Sequence, residues 1–253
     1  MMKSLARCAY AAFFCIVGLP FAFAQATQAT SQPPAASSTG GEKTVEEAYL
    51  QESLETMIIR EQAHSDSRDM KEIALQYARQ AIDAGRKNDD IRKSLEYLAL
   101  ETTDTISRQA GLGQPTNNFP DIRAKACDYL GNFPSVATKN ALIKVVLGDN
   151  EPMVISAAVR SLGKIGLNDN NEVTQDIAFI VNRYDVLGPD NSLAFECLVA
   201  IQRLADKNGG LNDPTAIRAV MQIETGNYIT PVKRMAQQVL DSLRKYQVMN
   251  GTK

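Results

Sequence analysis

Apolar side chains recur at spacings of three and four residues from residue 45 onward, which is the period of an amphipathic helix. The first such segment opens with Thr44 and Glu47, which have the spacing of a capping box. Two more helices are predicted, over residues 67–84 and 89–101, and Gly85 supplies a stop between them. The predicted buried faces comprise Leu50, Leu54, Met57 and Ile58 in the first helix, Met70, Ile73, Ala74, Tyr77, Ala81 and Ile82 in the second, and Ile91, Leu95 and Leu98 in the third.

Residues 102–119 interrupt this period. The segment contains Gly111, Gly113 and Pro115, which favour turns, and it spans 18 residues, which is long for a connection inside a compact domain. We expect a loop here. Three interpretations stay open: it contains a short helix near residues 104–109, it is a functional loop, or it is the seam between two helical blocks.

The C-terminal half repeats one pattern four times: a large apolar residue, a small one four positions later, then large ones after four and three more. The copies begin 32, 39 and 39 residues apart, and each gap holds a second apolar helical segment, near residues 141–146, 177–181 and 217–221. Two helices per unit at this period predict an α-solenoid. The four copies are Ile122, Ala126, Leu130 and Phe133; Val154, Ala158, Leu162 and Ile165; Leu193, Cys197, Ile201 and Leu204; and Val232, Ala236, Leu240 and Leu243.

Residues 121–131 and 153–166 resemble the HEAT repeat family, including the variant found among phycobilin-lyase relatives. The family favours an aliphatic residue followed by Arg at the start of this helix, as in Ile122-Arg123, and Leu-Gly near its end, as in Leu162-Gly163. The third and fourth copies lack Leu-Gly. The resemblance covers about residues 120–248 and implies an all-α fold, an α–α superhelix of stacked helix pairs. Residues 44–101 are predicted to be a degenerate start of the same solenoid.

The first 24 residues have the organisation of a secretory signal. Lys3 and Arg7 precede the apolar run Cys8–Val17, and the Ala-Phe-Ala sequence at residues 22–24 predicts cleavage after Ala24. The alternative is an uncleaved anchor, although the apolar run is shorter than the ~20 residues of a membrane span. Residues 25–43 are small and polar and predict a flexible linker, and residues 249–253 a flexible tail.

Removal of residues 1–24 would change the net charge from −2 to −4, because Lys3 and Arg7 leave and no acid does. A mildly acidic exported protein is a poor candidate for binding nucleic acid, since that binding requires positive charge opposite phosphates. We expect export to the bacterial periplasm. The alternative is eukaryotic secretion, in which Asn250-Gly251-Thr252 would be a glycosylation acceptor. With no membrane span expected after cleavage, we predict a soluble product.

Two cysteines, Cys127 and Cys197, would remain after cleavage. Cys197 occupies the small core position that Ala126, Ala158 and Ala236 hold in the other copies, which indicates a buried apolar role. The two cysteines are two repeats apart, and helix layers ~8–10 Å thick would separate their Cα atoms beyond the ~7 Å limit for a disulfide. We predict free thiols.

Two further segments contain residue types found in functional sites. His64, the only histidine, follows Glu61 and precedes Ser65 and Asp66, but triad groups converge in space and are rarely chain neighbours, so we predict a solvated turn. Oxygen-bearing side chains crowd residues 168–172 as in calcium loops, without the Gly and distal Glu of an EF-hand, so turn formation and capping explain them better. We therefore predict no catalytic, cofactor-binding or metal-ligating residue.

These observations predict a non-enzymatic scaffold or adaptor of the cell envelope whose partner is another envelope protein. Solenoids present extended surfaces, so the exposed positions of residues 120–248 are the expected contact region, with no individual residue singled out. The alternative is an enzyme or small-ligand-binding protein. Its site would lie between the helices of residues 44–101 and the repeats, with residues 102–119 as a lid.

Overall fold

The computed structural model describes residues 44–104, 113, 116–211 and 213–251. The predicted signal segment and linker lie outside these residues, and so do residues 105–109, where one interpretation of the loop places a short helix. Over the described residues the chain forms ten α-helices, and a single 3-10 turn, Asp169–Asn171, precedes the seventh. The helices are α1 Val45–Ala63, α2 Arg68–Asp83, α3 Asp89–Ala99, α4 Pro120–Leu130, α5 Val136–Gly148, α6 Pro152–Ile165, α7 Glu172–Leu187, α8 Asn191–Asn208, α9 Pro214–Thr225 and α10 Thr230–Gly251.

The helices pack in two layers. Helices α1, α3, α5, α7 and α9 contact one another in order and form the odd layer, while α2, α4, α6, α8 and α10 form the even layer. Each odd helix also packs against the even helix that follows it, so the chain is a stack of five helix pairs. The all-α solenoid architecture is confirmed, and α1–α3 lie in the same two layers as the later helices.

Polar side chains at the helix starts set the boundaries. Thr44 and Glu47 form the predicted capping box at α1. Ser135 and Asp213 cap α5 and α9 by accepting hydrogen bonds from the backbone N–H groups of Thr138 and Thr215. Gly166, with φ +80°, ends α6 in the left-handed conformation that glycine adopts without strain. At the other terminus α10 continues to Gly251, past the predicted end at residue 248, because its sequence has no Gly or Pro between Pro231 and Gly251.

The fourfold pattern forms the core between the layers. Of its sixteen positions only Leu240 is not fully buried, and Val239 is buried in its place. Helices α6 and α8 approach each other closely at Gly163, where an added Cβ would lie 2.7 Å from the Cα of Ala200. The apolar stripe of α3 is also buried as predicted.

The predicted core face of α1 is wrong. Leu50, Leu54 and Met57 are 61%, 56% and 48% exposed, whereas Ile59 and Ala63 are buried. The helix has apolar residues on both sides, and among residues 44–251 its neighbouring helices, α2 and α3, lie on one side only. The buried face predicted for α2 is correct for three of its six residues, Ala74, Ala81 and Ile82. Its members Met70 and Tyr77 are exposed, and the buried face is formed by Lys71, Ala74, Leu75, Ala78, Ala81 and Ile82.

Candidate interaction surfaces

The first helix pair ends in an open apolar groove, here called the end groove. Leu50, Leu54 and Ile58 of α1 form one wall and Tyr77 of α2 lies on the other, enclosing about 460 Å³. The remaining lining residues are polar: Glu47, Gln51, Glu55, Gln80 and Arg86. Eight of the sixteen strongly exposed large apolar residues in the described part of the chain belong to α1 and α2. The largest concentration of exposed apolar surface therefore lies outside residues 120–248.

Helical geometry explains why this groove is open. Ile59 and Ala63 face the core, and Leu50, Leu54 and Met57 lie about half a turn away at ~100° per residue. In a solenoid the face opposite the next unit is covered by the previous one, and no earlier helix pair exists among residues 44–251. A terminal repeat ordinarily carries a polar outer face, so an apolar one indicates a contact surface.

The margin of the end groove is acidic. Helix α1 contains five glutamates and one arginine, so its side chains sum to −4, whereas the other residues of the chain sum to +2. The Arg86 guanidinium donates to both carboxylate oxygens of Glu55 at 3.0 and 3.1 Å. The sole basic residue of α1, Arg60, lies 3.7 Å from Glu61. The groove thus combines an apolar floor with a negative margin.

A second groove, of about 510 Å³, lies at the last helix pair. Ile217 and Met221 of α9 and Leu240 and Leu243 of α10 line it, together with Glu224, Gln237, Asp241 and Arg244. Apart from Met221, which is 52% exposed, its apolar residues are more buried than those of the end groove, because Leu243 is only 3% exposed and Ile217 and Leu240 are half-buried. This end of the stack is therefore closer to the polar cap expected of a terminal repeat.

A buried ion pair joins the first helix pair to the second. The Lys71 ammonium donates to Glu101 Oε1 at 2.8 Å and to the Ala63 carbonyl at 3.1 Å. The other carboxylate oxygen of Glu101 is buried without a hydrogen-bond partner among the described residues. Burial, with the nearby Glu101 charge, raises the pKa of the Tyr97 phenol, whose ring lies 5.6 Å from the Lys71 ammonium.

The second and third helix pairs contain an equivalent ion pair with fuller hydrogen bonding. Arg123 lies 52 positions after Lys71 and occupies the same place in α4 that Lys71 has in α2. It donates to both carboxylate oxygens of Asp149, at 2.7 and 3.3 Å, and to the Asn118 side chain at 2.8 Å. In both cases the acid follows the odd helix of the next pair, so each ion pair fastens two consecutive units.

Residues 101–104, where the predicted loop begins, are attached to the next unit. Thr102 has φ +69°, which a β-branched residue rarely adopts. The Thr103 methyl group occupies the space beside Gly148 at the end of α5, where a Cβ would lie 2.6 Å away. Residues 105–112, 114 and 115 lie outside the described part of the chain, so the predicted lid stays a prediction.

The described residues do contain a shallow groove between the N-terminal helices and the repeats. It is lined by residues 87–89, 92 and 132–135. Residues 87–89 and 92 lie at the start of α3, and residues 132–135 connect α4 to α5. Residues 101–104 follow the end of α3, so the groove is at the opposite end of that helix from the predicted lid. This arrangement gives the small-ligand alternative no support.

The residues considered for chemistry occupy structural positions. His64 caps the C-terminal end of α1, where its Nδ1 lies 2.8 Å from the Arg60 carbonyl oxygen and its ring stacks on Tyr97 at 4.0 Å. Cys127 and Cys197 are free and buried, which confirms the predicted free thiols. Burial raises the pKa of Cys197 to about 12 and moves that of Cys127 in the same direction.

Residues 168–172 connect α6 to α7. Asn170 and Asn171 adopt positive φ angles of 54° and 63°, and the Asn168 side chain accepts a hydrogen bond from the Thr174 backbone at 3.2 Å. The acids of this segment, Asp169 and Glu172, both face the Lys139 ammonium. Within the described residues no three His, Cys, Asp or Glu side chains cluster as metal ligands would. The turn and capping interpretation agrees with this geometry.

Polar contacts also join neighbouring helices within each layer. Arg160 of α6 lies 2.9 Å from Asp128 of α4 and 3.0 Å from Glu196 of α8. Burial raises the pKa of Asp128, against the opposing effect of Arg160. At Asp213, hydrogen bonds from Thr215 and Thr174 outweigh burial and lower the pKa. These side chains hold neighbouring units together.

Comparison with known proteins identifies one family. Residues 115–179, which include α4, α5, α6 and the first half of α7, match the family model for HEAT repeats. No curated protein gives a significant match to the chain. No helix among the described residues is long and apolar enough to cross a membrane.

Proposed function

We propose that this chain is a non-enzymatic scaffold or adaptor of the cell envelope, exported to the periplasm, since its described helices form a solenoid and residues 115–179 match the family model for HEAT repeats. HEAT repeats generally mediate protein–protein interaction, and this general role supports the proposal. The organisation of residues 1–24 supports export, and cleavage after Ala24 would release the chain into the periplasm.

The observation that carries the proposal is the end groove. Soluble proteins rarely expose contiguous apolar surface of this kind unless it binds something. Leu50, Leu54 and Ile58 contribute that surface from one helix, and their exposure is not shared by the equivalent stripes of the interior helices. A protein partner that covers these side chains would complete the stack.

In-cell photo-crosslinking tests the proposal. A photoreactive amino acid is placed at Leu54 in the end groove, at Phe179 in the odd layer, or at Gln238 in the even layer, all of which are exposed. Reproducible capture of one envelope protein from at least one of the three positions supports a scaffold. Recovery of the chain alone from all three would contradict it.

Cell fractionation tests the location separately. The processed chain should be found in the periplasmic fraction with Gln25 as its first residue. A chain that keeps Met1 and remains in the cytoplasm would contradict export, whatever partner it binds.

A further inference from the structure

The end groove lies where another helix would pack if the stack continued. Within the stack, helices of one unit cover the apolar stripes of the next, as α4 and α8 cover Val154, Ala158 and Leu162 of α6. At the start of the stack the corresponding wall of α1 carries Leu50, Leu54 and Ile58, and it is open. Because both walls are helices, ridges of an incoming helix fit the groove as they fit the interior ones.

The negative charge at the margin of the end groove favours a basic binding partner over a second copy of the chain. A second copy of the chain would place one acidic α1 against another, and like charges in contact disfavour that association. Arg86 offsets Glu55, but Glu47 also lines the groove. At ~100° per residue, Glu46 and Glu61 lie on the same side of α1 and add further negative charge there. A helix with basic residues beside its apolar stripe complements both the floor and the margin.

We infer that the end groove binds an amphipathic helix of a partner protein, with Leu-type side chains entering between α1 and Tyr77 and flanking Lys or Arg residues facing the α1 glutamates. This inference rests on the proposed scaffold function and specifies its partner. Helix α1 has 19 residues and so spans about 28 Å at ~1.5 Å per residue, which sets the length of the docked helix at roughly 18 residues. The partner's anchors would recur at i, i+3, i+4 and i+7.

Two synthetic helices test the inference. Each has about 18 residues and the same leucine stripe, but one carries Lys and the other Glu at the flanking positions. Binding of each fluorescent peptide to the purified full chain is measured by anisotropy at low and high salt. We expect the Lys peptide to bind at least about tenfold more tightly than the Glu peptide, with the difference reduced by salt.

Two variants locate the binding. Leu54→Glu should weaken the Lys peptide by about tenfold or more, while Leu147→Glu, at a leucine 41% exposed in α5, should leave it unchanged. The double variant Glu46→Lys and Glu47→Lys should reduce the ratio of the two peptide affinities, because Glu47 lines the groove. Circular dichroism establishes that each variant keeps the helical content of the parent.

Several results would overturn the inference. Equal binding by the parent and Leu54→Glu would place the peptide elsewhere. A parent dimer that Leu54→Glu converts to a monomer would assign the groove to a second copy. If the Lys and Glu peptides bound equally well and a partner were crosslinked only from Phe179, the end groove would not be the binding site for a basic helix. The scaffold proposal would then still hold.

Discussion

Helices α1 and α6 have similar apolar side chains in opposite surroundings. In α6, Val154 and Leu162 are buried completely, because α4 lies on one side and α8 on the other. In α1, Leu50 and Leu54 face outward, because the described stack has neighbours on one side of that helix only. Helical periodicity determines which side chains share a face, whereas position in the stack determines whether that face is covered.

The two buried ion pairs extend the comparison from apolar to polar contacts. Arg123 and Lys71 occupy equivalent places in successive even helices, and each reaches an acid after the next odd helix. The planar guanidinium engages both oxygens of Asp149, whereas the ammonium of Lys71 engages one oxygen of Glu101. The interior contact is therefore the more completely hydrogen-bonded of the two, and we expect the first unit to be the less firmly held.

The largest expected effect is at Arg123. Arg123→Ala would leave Asp149 buried without its partner, and we expect the free energy of unfolding to fall by about 3–5 kcal/mol. Lys71→Ala should cost less, because Lys71 makes two hydrogen bonds, to Glu101 and to the Ala63 carbonyl, whereas Arg123 makes three. Urea unfolding followed by circular dichroism measures both variants. A greater loss for Lys71→Ala than for Arg123→Ala would contradict the ranking of the two ion pairs.

Matched leucine truncations test the apolar half of the comparison. Leu162→Ala should lower the free energy of unfolding by about 2–5 kcal/mol, since it removes a fully buried side chain and leaves a cavity. Leu54→Ala should change it by no more than about 0.5 kcal/mol, because that side chain is 56% exposed. A cost at Leu54 close to that at Leu162 would mean that the end groove is closed in the isolated chain.

The sequence predicts the fold well where a helix has neighbours on both sides. The fourfold pattern of α4, α6, α8 and α10 identifies core residues correctly because each of those apolar faces packs against a neighbouring helix. One position differs: Val239 is buried where the pattern predicts Leu240. The same reasoning failed for α1. Ile58 and Ile59 are adjacent apolar residues on different faces, and spacing alone gives no reason to prefer Ile59 as the core residue.

The polar side of the structure was harder to predict. Arg123 is visible in the sequence as part of an aliphatic-Arg pair, but its partner Asp149 follows the next helix and resembles an ordinary turn residue. Lys71 gives no such signal, and only the 52-residue offset from Arg123 identifies it. The sequence pattern places Leu50, Leu54 and Ile58 in the core, because large apolar residues at helical spacing are typical of a buried face. Their exposure depends on the position of α1 in the stack, which the spacing does not show.

Glycine substitutions probe how closely the interior helices pack. Gly163→Ala would bring the new Cβ to 2.7 Å from the Ala200 backbone, so we expect a loss of about 1–3 kcal/mol. Gly131 is the equivalent residue one unit earlier, and its nearest neighbour is the Ser161 hydroxyl at 2.8 Å, which can rotate away. Gly131→Ala should therefore cost less, as measured by urea unfolding. Equal losses would indicate that the close approach of α6 and α8 is not what Gly163 provides.

Thiol labelling gives the smallest effect on stability and the most direct contrast between the two regions. Cys197 is buried in α8, and burial raises its pKa to about 12, so almost no reactive thiolate is present at neutral pH. In the native chain we expect iodoacetamide to leave Cys127 and Cys197 unmodified by intact mass, and to modify both in denaturant without reductant. The variant Leu54→Cys should gain one label at once under native conditions, since that position is open to solvent. If the new thiol at position 54 were not labelled in the purified chain, the end groove would be covered there. If it were labelled in the chain alone but not after the Lys peptide is added, the peptide would lie in the groove.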